Sequence, residues 1–188
     1  MAEDEAPDDA DALIAWLDGK SEDVWFDTVD HINWDDGVPV LMWMTDQPQC
    51  TRALAARIFW TAAPDFYAIQ MLAGETFDED IDESWPLLQQ ILKNWRAGLY
   101  ASGQIAFESP GAVYREMLSR HPGRGDPLNI PESLCVSLPG RLSAAARETK
   151  APPAETTPFL RVAGLVLFFG SLVIIAALVA HRLRKGSW

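Results

Sequence analysis

Thr51-Arg52-Ala53-Leu54-Ala55-Ala56-Arg57-Ile58-Phe59-Trp60-Thr61-Ala62 places its apolar residues at Leu54, Ala55, Ile58, Phe59 and Ala62. Those positions recur at the three- and four-residue steps of one helix face, and Thr51 is a suitable N-cap. The same period returns on both sides. Upstream, Leu13, Ile14 and Leu17 form a short stripe that ends near Gly19. Ser21 then caps a helix carrying Val24, Trp25, Thr28, Val29 and Ile32. Downstream, a short helix is expected from Asp65 to Leu72, after Pro64. Ser84 opens the strongest helix, with Pro86 in its first turn and Leu88, Ile91, Leu92, Trp95 and Leu99 on one face. A last helix runs from Pro110 to about Ser119, ahead of His121-Pro122-Gly123. The expected fold class is therefore mainly α.

Three stretches are less regular. Asn33-Trp34-Asp35-Asp36-Gly37 reads as a break. Val38 to Met44 suits strand or helix, and Pro39 favours a helix start over a central strand. Gln104-Ile105-Ala106-Phe107 reads as a brief extended piece. Residues 121–158 are rich in Pro, Gly and Arg and read as a linker, with Ala151-Pro152-Pro153 a semi-stiff spacer. The expected organisation is an acidic arm over 1–11, a helical soluble domain over 12–120 and the linker over 121–158. A transmembrane helix over 159–181 and a basic tail over 182–188 complete it.

The transmembrane expectation rests on Val162 to Ala180, a run without a charged residue, flanked by Arg161 and by His181-Arg182-Leu183-Arg184-Lys185. As a helix it would span roughly 28 Å, about the hydrocarbon thickness of a bilayer. It has no polar face, which argues against a buried core helix. Val162, Gly164, Phe168, Phe169, Gly170, Ile174 and Ala177 are the anchor residues. Ala163, Gly170 and Ala177 recur every seven residues and would allow close helix approach and self-association. Basic residues on either side balance, so they do not orient the span. The acidic start, with no apolar segment behind it, has no signal-peptide pattern. A tail-anchored, single-pass protein with a cytosolic soluble domain is expected.

Charge is uneven. Residues 1–83 carry a net −18 and residues 84–188 a net +6, within an overall −12. Such an acidic front half repels phosphates, which excludes nucleic acid as a partner and favours a basic protein partner or simple solubility. Cys50 and Cys135 stand at no metal-ligand spacing and suit a reducing compartment.

Candidate chemistry centres on the break. His31 beside Asp35 and Asp36 could form an acid/base pair, and Asn33, Trp34, Asp35 and Asp36 could form a binding site. The same residues have structural readings: Asn and Asp cap helices, Gly37 permits positive φ, and Trp34 can anchor a core. Asp78-Glu79-Asp80-Ile81-Asp82-Glu83 fails the calcium-loop template, with Glu83 where Gly is needed and Gln89 where a bidentate Glu is needed. Gly19-Lys20-Ser21 lacks the first glycine of a phosphate loop, and Arg124-Gly125-Asp126 is a tripeptide common by chance. Trp16, Trp25, Trp34 and Trp43 stand nine apart, a spacing that shares no helix face and reads as accidental. No cofactor and no metal is expected.

Ile32-Asn33-Trp34-Asp35-Asp36-Gly37, Asp46-Gln47-Pro48-Gln49-Cys50 and Ala53 to Ala62 together resemble a small bacterial domain, the domain of unknown function family 4274. Trp95 to Tyr100 and Gln104 to Phe107 resemble its continuation, so the likeness spans roughly residues 20–110. It implies a compact helical bacterial domain and no assigned activity. The expected role is a protein-binding module, an adaptor or immunity-type protein, tethered to the bacterial inner membrane. The alternatives are an enzyme using His31, Asp35 and Asp36, and a structural membrane protein acting through its anchor.

Overall fold

A computed structural model describes residues 9–77, 84–144 and 146–147. Seven α-helices follow in order: α1 (Ala10–Leu17), α2 (Glu22–His31), α3 (Trp34–Asp46), α4 (Arg52–Thr61), α5 (Pro64–Ala73), α6 (Ser84–Arg96) and α7 (Gly111–Ser119). A 3-10 turn lies at Glu132–Leu134, and the described residues contain isolated bridges but no strand. The mainly helical expectation is met.

Local sequence explains most helix ends. Ser21 accepts a hydrogen bond from Val24 N–H, and Thr51 accepts one from Leu54 N–H at 3.2 Å. Gly74 closes α5 with φ +95, a conformation open to glycine at little cost. Among these helices, the sequence reading errs at the break and at Leu99. Only Ile32 and Asn33 separate α2 from α3, so Asp35, Asp36 and Gly37 lie in the first turn of a helix rather than in a break. Pro39 sits in that helix's second turn, where it removes one hydrogen bond near the start. Leu99 is 62% exposed, because α6 ends at Arg96 and Gly98 turns the chain away with φ +69.

The core forms where α3, α4 and α6 meet, with α1 on α3 and α2 and α5 on α4. Leu41 and Met44 from α3, Leu54, Ile58 and Phe59 from α4, and Leu87, Leu88, Ile91 and Leu92 from α6 are wholly buried. Burying a side chain of this size contributes roughly 1.5–3 kcal/mol. The buried C-terminal end of α3 leaves carbonyls that need donors. Helix α6 supplies two: Gln90 Nε2 donates to Met42 O at 2.9 Å, and Asn94 Nδ2 to Thr45 O at 3.2 Å. Gln47 Nε2 donates to Trp43 O at 3.1 Å.

The described part of 121–158 corrects the linker expectation. Leu128, Ile130, Leu134 and Cys135 belong to the core. Trp60 Nε1 donates to Leu134 O at 3.1 Å, and Arg96 Nη2 to Asn129 O at 2.9 Å. Asp126 accepts from Tyr114 Oη at 2.6 Å and from Ile130 N at 2.7 Å. These contacts arise from irregular backbone, so no helical or strand period marks them in the sequence. Gln104–Phe107 is extended as expected: Ile105 bridges Arg141 in parallel and Phe107 bridges Leu138 in antiparallel fashion.

The start of α2 ties this last stretch down. Glu22 accepts from Thr51 Oγ1 at 2.7 Å and from Gln104 N at 3.2 Å. Asp23 receives both ends of the Arg141 guanidinium, at 2.9 and 2.6 Å, and Ala144 N at 2.8 Å. The hydrogen-bonded Arg141 guanidinium holds the Asp23 carboxyl below the ordinary carboxylate range. The Ala144 N–H acts in the same sense, and partial burial opposes them.

Of the acidic arm expected over 1–11, residues 1–8 lie outside the described residues, while Asp9 caps α1 and Ala10 and Asp11 begin it. The acidic loop 78–83, the anchor, its self-association stripe and the basic tail also lie outside the described residues. Among the described residues, no helix is long and apolar enough to cross a membrane.

Two outcomes follow from the packing. A Cβ on Gly111 would collide with the backbone of Cys135, so Gly111→Ala should cost about 1–3 kcal/mol in urea unfolding of the full chain. Asp23, its pKa lowered on folding, adds stability that is present above its unfolded pKa of about 4 and is lost as pH falls through the folded value. Asp23→Asn should therefore lower stability at neutral pH and flatten the acid limb of the stability curve.

Candidate functional site

A groove of about 440 Å³ opens among α1, α2 and α3. Helix α1 supplies Ala10, Leu13 and Trp16. Helix α2 supplies Val24, Asp27, Thr28 and His31. The junction supplies Ile32 and Asn33, and α3 supplies Asp36, Gly37 and Val40. The lining thus mixes apolar walls with two carboxylates, an imidazole, an amide and a hydroxyl.

Helix geometry positions the polar groups. Asp27 and His31 are one turn apart on α2, and His31 Nδ1 donates to the Asp27 carbonyl at 2.8 Å, with the Asp27 carboxylate 3.4 Å away. Asn33 Nδ2 donates to Asp36 Oδ2 at 3.2 Å across the first turn of α3. Thr28 Oγ1 donates to Val24 O at 2.9 Å, a bond within its own helix. Just after α1, the Lys20 ammonium stands 4.4 Å from the centre of the Trp16 ring.

Gly37 has a different role from the one expected of it. Its backbone is helical, not left-handed, and a Cβ there would strike the Ile32 side chain, with Cγ1 at 2.5 Å and Cδ1 at 2.7 Å. Glycine lets Ile32 fold over the first turn of α3, where both line the groove.

The groove brings together His31, Asn33 and Asp36, three of the residues singled out from the sequence. Trp34 packs partly buried against the core instead. Asp35 is placed only as a residue in the first turn of α3. His31 pairs with Asp27 rather than with Asp36, which accepts from Asn33. Sequence reading missed Asp27, Thr28 and Trp16; only Asp27 had a signal, its spacing of four from His31. The nine-residue tryptophan spacing has no common structural role. Trp25 is buried and donates to Leu17 O at 3.0 Å, its ring 5.4 Å from that of Trp43, while Trp16 lines the groove.

Among the described residues, no group of three or more His, Cys, Asp or Glu side chains gathers to hold a metal ion. Cys50 and Cys135 are free thiols, both buried. Burial, with Glu22 adding to it, pushes the Cys50 thiol up to about 12, and burial also raises that of Cys135.

Residues 20–95 match a family model described as "Domain of unknown function (DUF4274)". No curated protein and no solved structure matches the chain. The matched stretch runs from α2 nearly to the end of α6. Two walls of the groove therefore lie inside the resemblance, while α1, α7 and the bridged stretches 104–107 and 138–141 lie outside it.

Because the thiolate is the reactive form, the buried thiols should resist alkylation. Iodoacetamide at mildly alkaline pH should label Cys50 in the folded chain far more slowly than in urea, as read by mass spectrometry of tryptic peptides.

Proposed function

We propose that this protein is a membrane-tethered protein-binding module whose recognition surface is the groove between α1, α2 and α3. The observation that carries the reading is the groove's composition: apolar walls from Leu13, Val24, Ile32 and Val40, with carboxylates at Asp27 and Asp36. A basic side chain of a partner could lay its aliphatic stem along such walls and bring its charge to the carboxylates. The overall charge of −12 would speed encounter with a basic partner. The tether is the uncharged run Val162 to Ala180, with the domain on the cytosolic face of a bacterial inner membrane. Adaptor and immunity-type roles share this architecture. The enzyme alternative has less support, since His31 is turned to the Asp27 carbonyl.

Two measurements test the two halves of this reading. The full chain should remain in membranes after alkaline carbonate washing, and a chain ending at Thr157 should not. Retention of the shortened chain would refute the tether. From solubilised native membranes, the full chain should recover a partner with a basic surface, and Asp27→Lys with Asp36→Lys should lose it. Equal recovery by the double variant would rule out the groove.

A further inference from the structure

A second concavity, of about 300 Å³ and separate from the groove, is lined by Arg52, Trp95, Gly98, Tyr100, Ser102 and Ser133. Its charge runs against that of the acidic front half. The Arg52 guanidinium lies over the Trp95 ring, 4.7 Å from the ring centre. Arg57, Arg115, Arg120 and Arg141 each pair with a carboxylate. Among the described residues, the Arg52 guanidinium donates no hydrogen bond and makes no ion pair. Arg52 is also the first residue of α4, at the positive end of the helix dipole, where a cation is disfavoured. A bound anion would relieve both conditions.

The surroundings are fixed and supply further donors. Trp95 Nε1 donates to Ser133 Oγ at 2.9 Å, which steadies the ring beneath the guanidinium and leaves the Ser133 hydroxyl proton available. The Ser102 hydroxyl donates no hydrogen bond among the described residues. Gly98 has φ +69, and nothing lies within 4 Å of where its Cβ would be, so the backbone there leaves open space.

We propose that this pocket binds a carboxylate group, held by the Arg52 guanidinium fork and by the hydroxyls of Ser102 and Ser133. Guanidinium and carboxylate match in shape and form two parallel hydrogen bonds. One guanidinium balances one negative charge. Glu22, which lies against Gly103 with its oxygens bonded to Thr51 and Gln104, disfavours the second charge of a phosphate. The carboxylate belongs to a small organic acid or to the end of a peptide.

The test uses ¹⁵N-indole spectra of the full chain in zwitterionic detergent micelles, with the Trp95 signal identified through Trp95→Phe. Sodium acetate should shift that signal saturably, beyond sodium chloride at the same ionic strength, and phosphate should bind more weakly. The dipeptide Ala-Ala binding more tightly than acetate, with its amide inert, assigns the site to a peptide end; acetate binding at least as tightly assigns it to a small acid. Arg52→Gln should abolish the response while the other indole signals stay in place. If that variant does not fold, Arg52→Lys, which keeps the charge and loses the fork, should weaken binding several-fold. The proposal is overturned by no saturable shift with any carboxylate, by a shift that survives Arg52→Gln or binding undiminished in Arg52→Lys, or by phosphate binding more tightly than acetate.

Discussion

Two adjacent carboxylates at the start of α2 decide how the rest of the described chain is laid down. Glu22 and Asp23 occupy a helix's first turn, where the dipole favours negative charge. From there they reach Thr51, Gln104, Arg141 and Ala144, residues as much as 121 positions away in sequence. An isolated surface ion pair contributes little. This pair of residues differs because each carboxylate accepts from at least two donors, and backbone N–H groups are among them. The bridges at Ile105 and Phe107 can form only if 138–141 lies against 104–107, which is where Arg141 is held. Gly103 is part of the same arrangement: a side chain there would meet Glu22 and Thr51.

The apolar core supplies most of the stabilisation, and the polar contacts select one arrangement of it. Leu88 or Ile91 would bury equally well in many helix packings. Gln90 and Asn94 would not, because they must meet the carbonyls at the end of α3. The groove follows from this arrangement. Helix α1 packs on α3, α2 packs on α4, and the space between α1 and α2 is walled on the third side by the first turns of α3. Trp16 and Ile32 remain only partly buried there, which is the condition for a surface that takes a partner.

The second pocket arises in the same way. Arg52 begins α4, Trp95 comes from α6, Ser102 lies between α6 and α7, and Ser133 lies in the 3-10 turn after α7. Arg52, Trp95 and Ser133 come from elements that are not consecutive in the chain. Cation and ring meet because the parallel bridge at Thr51 and Ala101 fixes the start of α4 beside the turn that follows α6.

The sequence by itself determined the helices. Leu54, Ile58 and Phe59 recur at helical spacing, Ser21 and Thr51 cap, and Gly19 turns the chain, all of which are local effects acting over a few residues. It also marked the apolar run near the C-terminus and placed His31, Asn33 and Asp36 near one another, since they are close in the chain. Its errors have the same origin. Asn33 to Gly37 carries turn residues, yet Asn33 and Asp36 support a helix start and Gly37 makes room for Ile32, a contact invisible until both are placed. Leu99 continues the stripe of α6 on paper, but the helix has already ended. Leu128, Ile130 and Leu134 follow no period, and the stretch that carries them is held by Trp60 of α4, Arg96 of α6 and Tyr114 of α7. Tertiary structure alone decided the fate of 121–144, the walls of the groove and the position of the Arg52 guanidinium. Each depends on contacts between segments far apart in sequence, and local periodicity carries no information about those.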